Sequence, residues 1–262
     1  MLYNAFMTKE ELNKYQSLAN FGNKKAIYKM YEYYYQNMEY EKGFLLLKRF
    51  ENDLDIVLLN KLAMCYSHGL GVSKSKEMAK DIYLKSYEMG DVTGGYNLAL
   101  ILIKEENYLQ AIKYLTYGVY KDHMKSTLLL ADLYGNGLGV IKNRDIAISL
   151  YNKVLENGDY SVYDKIGKLY YLDKDYFNAF KYFSLGAKKL DPEALYHLGI
   201  CYCKAEGTPR DIKKAIYYYE LGANANHVKC IKNLIFHYEN GVGVIANKKK
   251  VEYYKKKIAN IN

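Results

Sequence analysis

Leu62-Ala63-Met64-Cys65-Tyr66 returns along the chain as Leu130-Ala131-Asp132-Leu133-Tyr134, Ile166-Gly167-Lys168-Leu169-Tyr170, Leu198-Gly199-Ile200-Cys201-Tyr202 and Leu234-Ile235-Phe236-His237-Tyr238. Weaker copies close at Tyr34 and Leu102. The closing positions 34, 66, 102, 134, 170, 202 and 238 lie 32, 36, 32, 36, 32 and 36 residues apart, a double period of 68. A period of this size marks an array whose unit is one supersecondary element.

A second segment follows each first one: Ala79-Lys80-Asp81-Ile82-Tyr83, Ala111-Ile112-Lys113-Tyr114, Ala147-Ile148-Ser149-Leu150-Tyr151, Ala179-Phe180-Lys181-Tyr182-Phe183 and Ala215-Ile216-Tyr217-Tyr218-Tyr219, with Gly43 and Val251 holding the Ala position at either end. From each of these anchors to the next closing position is always 23 residues, whereas the gap inside a repeat is 9 or 13, so only the inner loop varies. The long loops are Gly69-Leu70-Gly71-Val72, Gly137-Leu138-Gly139-Val140, Ala205-Glu206-Gly207-Thr208 and Gly241-Val242-Gly243-Val244. Glycine supplies positive φ where a helix ends and the chain reverses. No strand pattern precedes these loops and no Lys-Ser/Thr follows them, so they are turns and not phosphate cradles. Four residues before the anchors stand Glu39, Ser75, Asn107, Asn143, Asp175, Asp211 and Asn247; eleven before the closing positions stand Asn23, Asp55, Asp91, His123, Asp159, Asp191 and His227. Most of these types accept an orphan N–H at a helix start. The expected fold is therefore all-α: seven helical hairpins with an N-terminal capping helix at residues 8 to 22, about fifteen helices in one domain over residues 1 to 262. The repeats run 23 to 54, 55 to 90, 91 to 122, 123 to 158, 159 to 190, 191 to 226 and 227 to 262. Such a right-handed α/α solenoid needs no internal boundary, because each repeat buries its core only against its neighbours.

Composition agrees. Half of the 262 residues are apolar, 26% are charged and 2 are Pro, which excludes a disordered or collagenous chain. No apolar run approaches the roughly 20 residues that cross a bilayer, so membrane insertion is not expected. The start, Met1-Leu2-Tyr3-Asn4-Ala5-Phe6-Met7, has no basic segment ahead of an apolar one, and export is not expected. Cys65, Cys201, Cys203 and Cys230 are too few and too uneven for a disulfide framework; a reducing, cytoplasmic setting fits.

With the repeats laid out, the chain resembles the Sel1-like repeats, relatives of the tetratricopeptide repeats. Ala194 to Asn226 follows most of the family pattern, including Leu198-Gly199 and Tyr202, and the repeats at 62 to 90, 130 to 158 and 234 to 259 carry its Gly-x-Gly-Val loop. The three shorter repeats approach tetratricopeptide length. The resemblance implies scaffolds and adaptors that hold proteins or peptides. A cysteine-rich branch of that family staples each hairpin with a disulfide, and the paired Cys for this are missing here.

In tetratricopeptide-like arrays the first helices line the concave surface. On that footing the residues six and five before each closing position face it, the pairs Tyr28-Lys29, Asn60-Lys61, Tyr96-Asn97, Leu128-Leu129, Asp164-Lys165, Tyr196-His197 and Lys232-Asn233; of these Tyr28, Lys29, Asn60, Lys61, Tyr96, Asn97, Lys165, Tyr196, His197 and Lys232 form a tentative peptide-binding lining. Amphipathic rings, amides and cations suit an extended peptide carrying acidic groups. Twelve recurrent tyrosines, at 34, 66, 134, 170, 202 and 238 and at 83, 114, 151, 182, 219 and 254, are assigned to packing between neighbouring hairpins. Cys201, Cys203 and Cys230 are assigned to packing and not, with His197, to a metal, and His123 and His227 to the surface as caps. No metal, no cofactor and no catalytic residues are expected: His-Glu-x-x-His, Gly-x-Ser-x-Gly and Gly-Lys-Ser/Thr are all missing. Residues 228 to 262 carry eight Lys against Glu239 and Glu252, or +6 of the total +9. That cluster and the sequence pI near 9.0 support RNA binding as the alternative function. The alternating 32 and 36 spacing disfavours it, because RNA-reading pentatricopeptide arrays keep a constant period of about 35. The leading expectation is a non-enzymatic scaffold for a protein or peptide partner, with nucleic acid the weaker alternative.

Overall fold

The computed structural model describes residues 7 to 261; the remainder of the N-terminal segment read above, and Asn262, lie outside the described residues. Among the described residues fifteen α-helices follow one another and no strand occurs. The chain divides into two compact units, one reaching Leu130 and taking in Leu138–Ile141, the other made of Ala131–Gly137 with Lys142–Asn262. The first holds α1 (Lys9–Asn20), α2 (Lys24–Gln36), α3 (Tyr40–Arg49), α4 (Ile56–His68), α5 (Lys76–Glu88), α6 (Val92–Lys104), α7 (Tyr108–Tyr120) and the start of α8 (Met124–Asn136). The second holds the end of α8 with α9 (Arg144–Glu156), α10 (Val162–Leu172), α11 (Tyr176–Lys188), α12 (Pro192–Lys204), α13 (Ile212–Asn224), α14 (Val228–Asn240) and α15 (Lys248–Ala259). Within each unit a helix packs on its hairpin partner and on the next hairpin, as in α4 on α5 and α5 on α6, or α12 on α13 and α13 on α14. This is an α/α solenoid, and no helix among the described residues is long and apolar enough to cross a membrane.

The capping columns act as the spacing predicts, with three departures. Asn23, Asp55, Asp91 and Asp191 each accept a backbone N–H of the first turn, as do Ser75, Asn143, Asp175, Asp211 and Asn247. Thr8 and Glu11 close a reciprocal capping box on α1, the expected N-terminal cap helix. Glu39 and Asn107 stand at the N-caps of α3 and α7 without a side-chain cap bond. At Asp159 the carboxylate accepts from Ser161 only two residues on, a local turn that delays α10 until Val162.

Each anchor Ala is fully buried, as at Ala79, Ala111, Ala147, Ala179 and Ala215, because two helices meet there. None of the twelve recurrent tyrosines is exposed. Tyr66, Tyr114 and Tyr202 make the expected contact to the preceding hairpin, edge-on against Phe44, Tyr87 and Phe180. Tyr170 and Tyr238 instead stack inside one hairpin, on Tyr182 (5.5 Å, 14°) and Tyr254 (6.2 Å, 17°).

Cys65, Cys201 and Cys230 are buried and Cys203 is half-buried; all four are free thiols. Burial raises Cys201 and Cys230 to about 12, so they are protonated packing groups at neutral pH. A thiol reagent should modify only Cys203 in the native protein and all four cysteines in denaturant. Alanine at a buried site should cost about 1 to 2 kcal/mol without unfolding the chain. Fast native modification of Cys201 or Cys230 would contradict this packing role.

Candidate functional site

Polar side chains gather where α10, α12 and α14 present their N-terminal turns. Asp191 caps α12, Pro192 fills its first position, and Glu193 follows where the helix dipole favours an anion. One turn later on the same face stands His197. From α10 come Asp164 and, at i+4, Lys168. From α14 come its N-cap His227 and Lys229.

Glu193 is the hub. His227 accepts the Cys230 N–H through Nδ1 (3.4 Å), which leaves the proton on Nε2; that nitrogen donates to Glu193 Oε1 at 3.1 Å. Lys229 Nζ lies 3.2 Å from Glu193 Oε2 and Lys168 Nζ 3.6 Å from it. Partial burial works to raise the Glu193 carboxyl, but donation from His227 and Lys229 prevails and holds it at about 2. His227 is thus a half-buried connector, where the sequence reading put it on the surface. Cys230 shares the packing site beside it.

Asp164 is the deepest charge, only 4% exposed. Its Oδ2 accepts from Lys168 at 2.6 Å, while burial drives its pKa up against that partner. Its Oδ1 has no hydrogen-bond partner. It faces His197 Nε2 at 3.8 Å, which also has none, and His197 Nε2 lies 4.0 Å from Glu193 Oε2. The His197 ring stacks on Phe183 (4.9 Å, 16°) and abuts Tyr196. Burial, with the ammonium of Lys168, pushes His197 down to about 4, so its ring is neutral at pH 7. Lys229 sits over the Tyr196 ring at 5.4 Å.

The other lining residues are distributed as follows. Lys61 is committed to Glu32 at 2.7 Å and lies against the rings of Tyr28 and Tyr31. Asn60 donates to Asp91 Oδ2 at 2.7 Å. Tyr96 meets His123 edge-on, and Asn97 is half-buried. Lys165 bonds both oxygens of Asp132 (2.7 and 2.8 Å), which also accepts from Tyr151 at 2.5 Å. Lys29 and Lys232 are exposed and, among the described residues, form no ion pair. The structure therefore brings Tyr196 and His197 into the cluster and leaves Lys29 and Lys232 as open cations. It adds Asp164, Lys168, Glu193, His227 and Lys229, which column reading did not select. A signal existed: Asp164 is the one acid in a column otherwise filled by Tyr28, Asn60, Tyr96, Leu128, Tyr196 and Lys232.

Stacked hairpins with a polar first-helix face define a helical-repeat protein. Four stretches, residues 58–91, 125–159, 166–189 and 192–227, match the profile of the Sel1 repeat. The chain is a Sel1-repeat protein. It is similar to a Sel1 repeat protein from Oxalobacter formigenes, with 29% identity and a TM-score of 0.71 over 87% of this chain and 95% of that one. It also resembles a protective antigen present in uropathogenic Escherichia coli strains that displays an SLR fold (21% identity, TM-score 0.75, 96% of this chain and 59% of that one). An uncharacterized Sel1-like repeat-containing protein of Schizosaccharomyces pombe is 22% identical over 209 residues, 79% of this chain; the chain spans 29% of that relative's length.

Proposed function

We propose that this protein is a non-enzymatic scaffold that holds a protein or peptide partner against the face of its first helices. Sel1 repeats are generally protein-interaction scaffolds. The observation that carries the reading is the state of that face: its charges are fixed in advance by internal partners, Lys61 by Glu32, Lys165 by Asp132 and Glu193 by His227 and Lys229. A surface whose rotamers are already held loses little side-chain entropy when a partner docks. Tyr28, Tyr96 and Tyr196 supply half-buried rings beside these pairs. Lys29 and Lys232 keep their charge for an acidic group on the partner.

The pairing dictates the test. Reversing Lys61 or Lys165 would break an internal ion pair and blur binding with folding, whereas Lys29→Glu and Lys232→Glu disturb no such pair. Partners captured from lysate and identified by mass spectrometry should be lost in the Lys29→Glu, Lys232→Glu protein, by on the order of 10- to 100-fold in affinity. Neutralising Lys248, Lys249, Lys255 and Lys256 should leave capture intact. Capture that disappears with nuclease, or follows the C-terminal lysines and falls steeply with salt, would replace this proposal with RNA binding.

A further inference from the structure

One cluster on the first-helix face goes beyond partner docking. Asp164 is 96% buried by its 4% exposure, yet one of its two carboxylate oxygens has no hydrogen-bond partner. A buried carboxylate oxygen left without a donor costs free energy, so what it faces matters. It faces His197 Nε2, equally unpartnered, at 3.8 Å. Glu193 closes the group, and one donor atom from each of the three residues lies within 4.8 Å of the others.

We propose that Asp164, Glu193 and His197 form a binding site for a divalent transition-metal ion of the zinc class, and that Lys168 is the internal cation this ion displaces. Three features support the assignment. The donor set, one imidazole nitrogen and two carboxylate oxygens, is of the kind zinc accepts at about 2.0 to 2.2 Å, with a fourth position left for water. Donors around a tetrahedral ion stand about 3.4 Å apart. The 3.8 and 4.0 Å separations from His197 therefore need to close by about half an ångström, and the two carboxylate oxygens, which lie within 4.8 Å of each other, by up to about 1.4 Å. Glu193 and His197 are spaced i, i+4 on α12, which aims both at one point, and Asp164 enters from α10, so the ion would brace two neighbouring hairpins.

The surroundings also serve a metal. Glu193 would bind through Oε2 while Oε1 keeps the proton of His227, an outer partner that fixes the carboxylate's orientation. The competing group is Lys168, whose ammonium holds Asp164 Oδ2 at 2.6 Å and sits 3.6 Å from Glu193. Its side chain is 41% exposed and unbranched, so it has a path outward into water. Lys229, 54% exposed, can leave Glu193 Oε2 in the same way.

The site takes no sulfur. This separates it from the Cys201, Cys203 and His197 set weighed in the sequence, in which Cys201 is fully buried in an apolar cluster.

The test is calorimetric titration of the metal-free protein with Zn²⁺ alone, together with thermal unfolding in its presence. One zinc should bind per chain and raise the unfolding temperature, because an ion that binds only the folded state stabilises it by mass action. Asp164→Asn and His197→Phe should each weaken binding on the order of 100-fold. Cys201→Ser should bind as the wild type does. Lys168→Met should bind about tenfold more tightly, since no ion pair has to be broken first. Several outcomes would overturn the proposal: no stoichiometric zinc in both the wild type and Lys168→Met, unchanged binding in His197→Phe, or an equal response to Mg²⁺, which disfavours nitrogen ligands. Should Asp164→Asn fail to fold, His197→Phe and Lys168→Met decide the matter by themselves. Partner capture by the Lys29→Glu, Lys232→Glu protein is independent of all these readings.

Discussion

Replacing Gly207 by Ala should lower the stability of the second unit by about 4 kcal/mol, with a fall in unfolding temperature of roughly 10 °C. Gly207 lies in the loop between α12 and α13 at φ +74°, and a methyl there would fall inside the carbonyl of Tyr176 and against Cβ of Phe180. The obstacle is backbone at the start of α11, in the preceding hairpin, so no flexible side chain can give way. Gly71 repeats the arrangement in the first unit, at φ +72° against the carbonyl of Tyr40. The control is Gly158, at φ +83° with open space where a methyl would stand. Gly158→Ala should cost only the left-handed strain, about 1 kcal/mol. Urea or thermal unfolding of the three variants checks the ranking. Equal losses at Gly207 and Gly158 would mean that conformation alone, and not close approach, selects glycine in these loops.

That distinction marks how far the sequence could be read. The Gly-x-Gly spacing was enough to place the turns, since a helix that must stop and reverse calls for positive φ, and Gly69, Gly71, Gly137, Gly139, Gly241 and Gly243 all have it. Ala205 adopts φ 61° at the place of the first glycine, so only the second position is bound to glycine by packing in that loop. Helix starts were legible because a cap acts within three residues of its own position. Asp159 failed for the same reason: its carboxylate found a nearer amide, on Ser161.

The polar face was legible residue by residue but not pair by pair. Lys61 meets Glu32 and Lys165 meets Asp132 across 29 and 33 positions, each three short of the local repeat length. The rule behind this joins the residue two before one closing position to the residue five before the next. The same two columns hold Leu100 with Leu129, but also Met64 with Asn97 and Ile200 with Asn233, so the match is confined to the charged pairs and to that apolar one. Only the crossing of successive first helices says which columns touch. Glu193 escaped altogether, because it stands a full turn ahead of the residues taken to face the partner. Its importance comes from reaching three helices at once, which no single column records.

Removing the ammonium of Lys168 should expose what it does for Asp164. In metal-free buffer Lys168→Met should destabilise the protein by about 2 kcal/mol, less than the 3 to 5 typical of a wholly buried pair because Lys168 borders solvent. The cost arises in the partner left behind: a carboxylate 5% exposed in its side chain, with Oδ1 already unpaired, would lose its only donor on Oδ2. Asp164→Asn alone should cost under about 1 kcal/mol, since a neutral amide needs no counter-charge at that depth. Adding Asp164→Asn to Lys168→Met should then recover most of the loss, which gives a coupling energy of about 1 to 2 kcal/mol in a double-mutant cycle. Chemical denaturation of the four proteins at pH 7 supplies the numbers. Additive losses would mean that the pair is an ordinary solvated contact and that Asp164 tolerates its burial by other means. Recovery confined to the double variant would establish that Asp164 requires a cation beside it, the condition a bound metal ion would satisfy in place of Lys168.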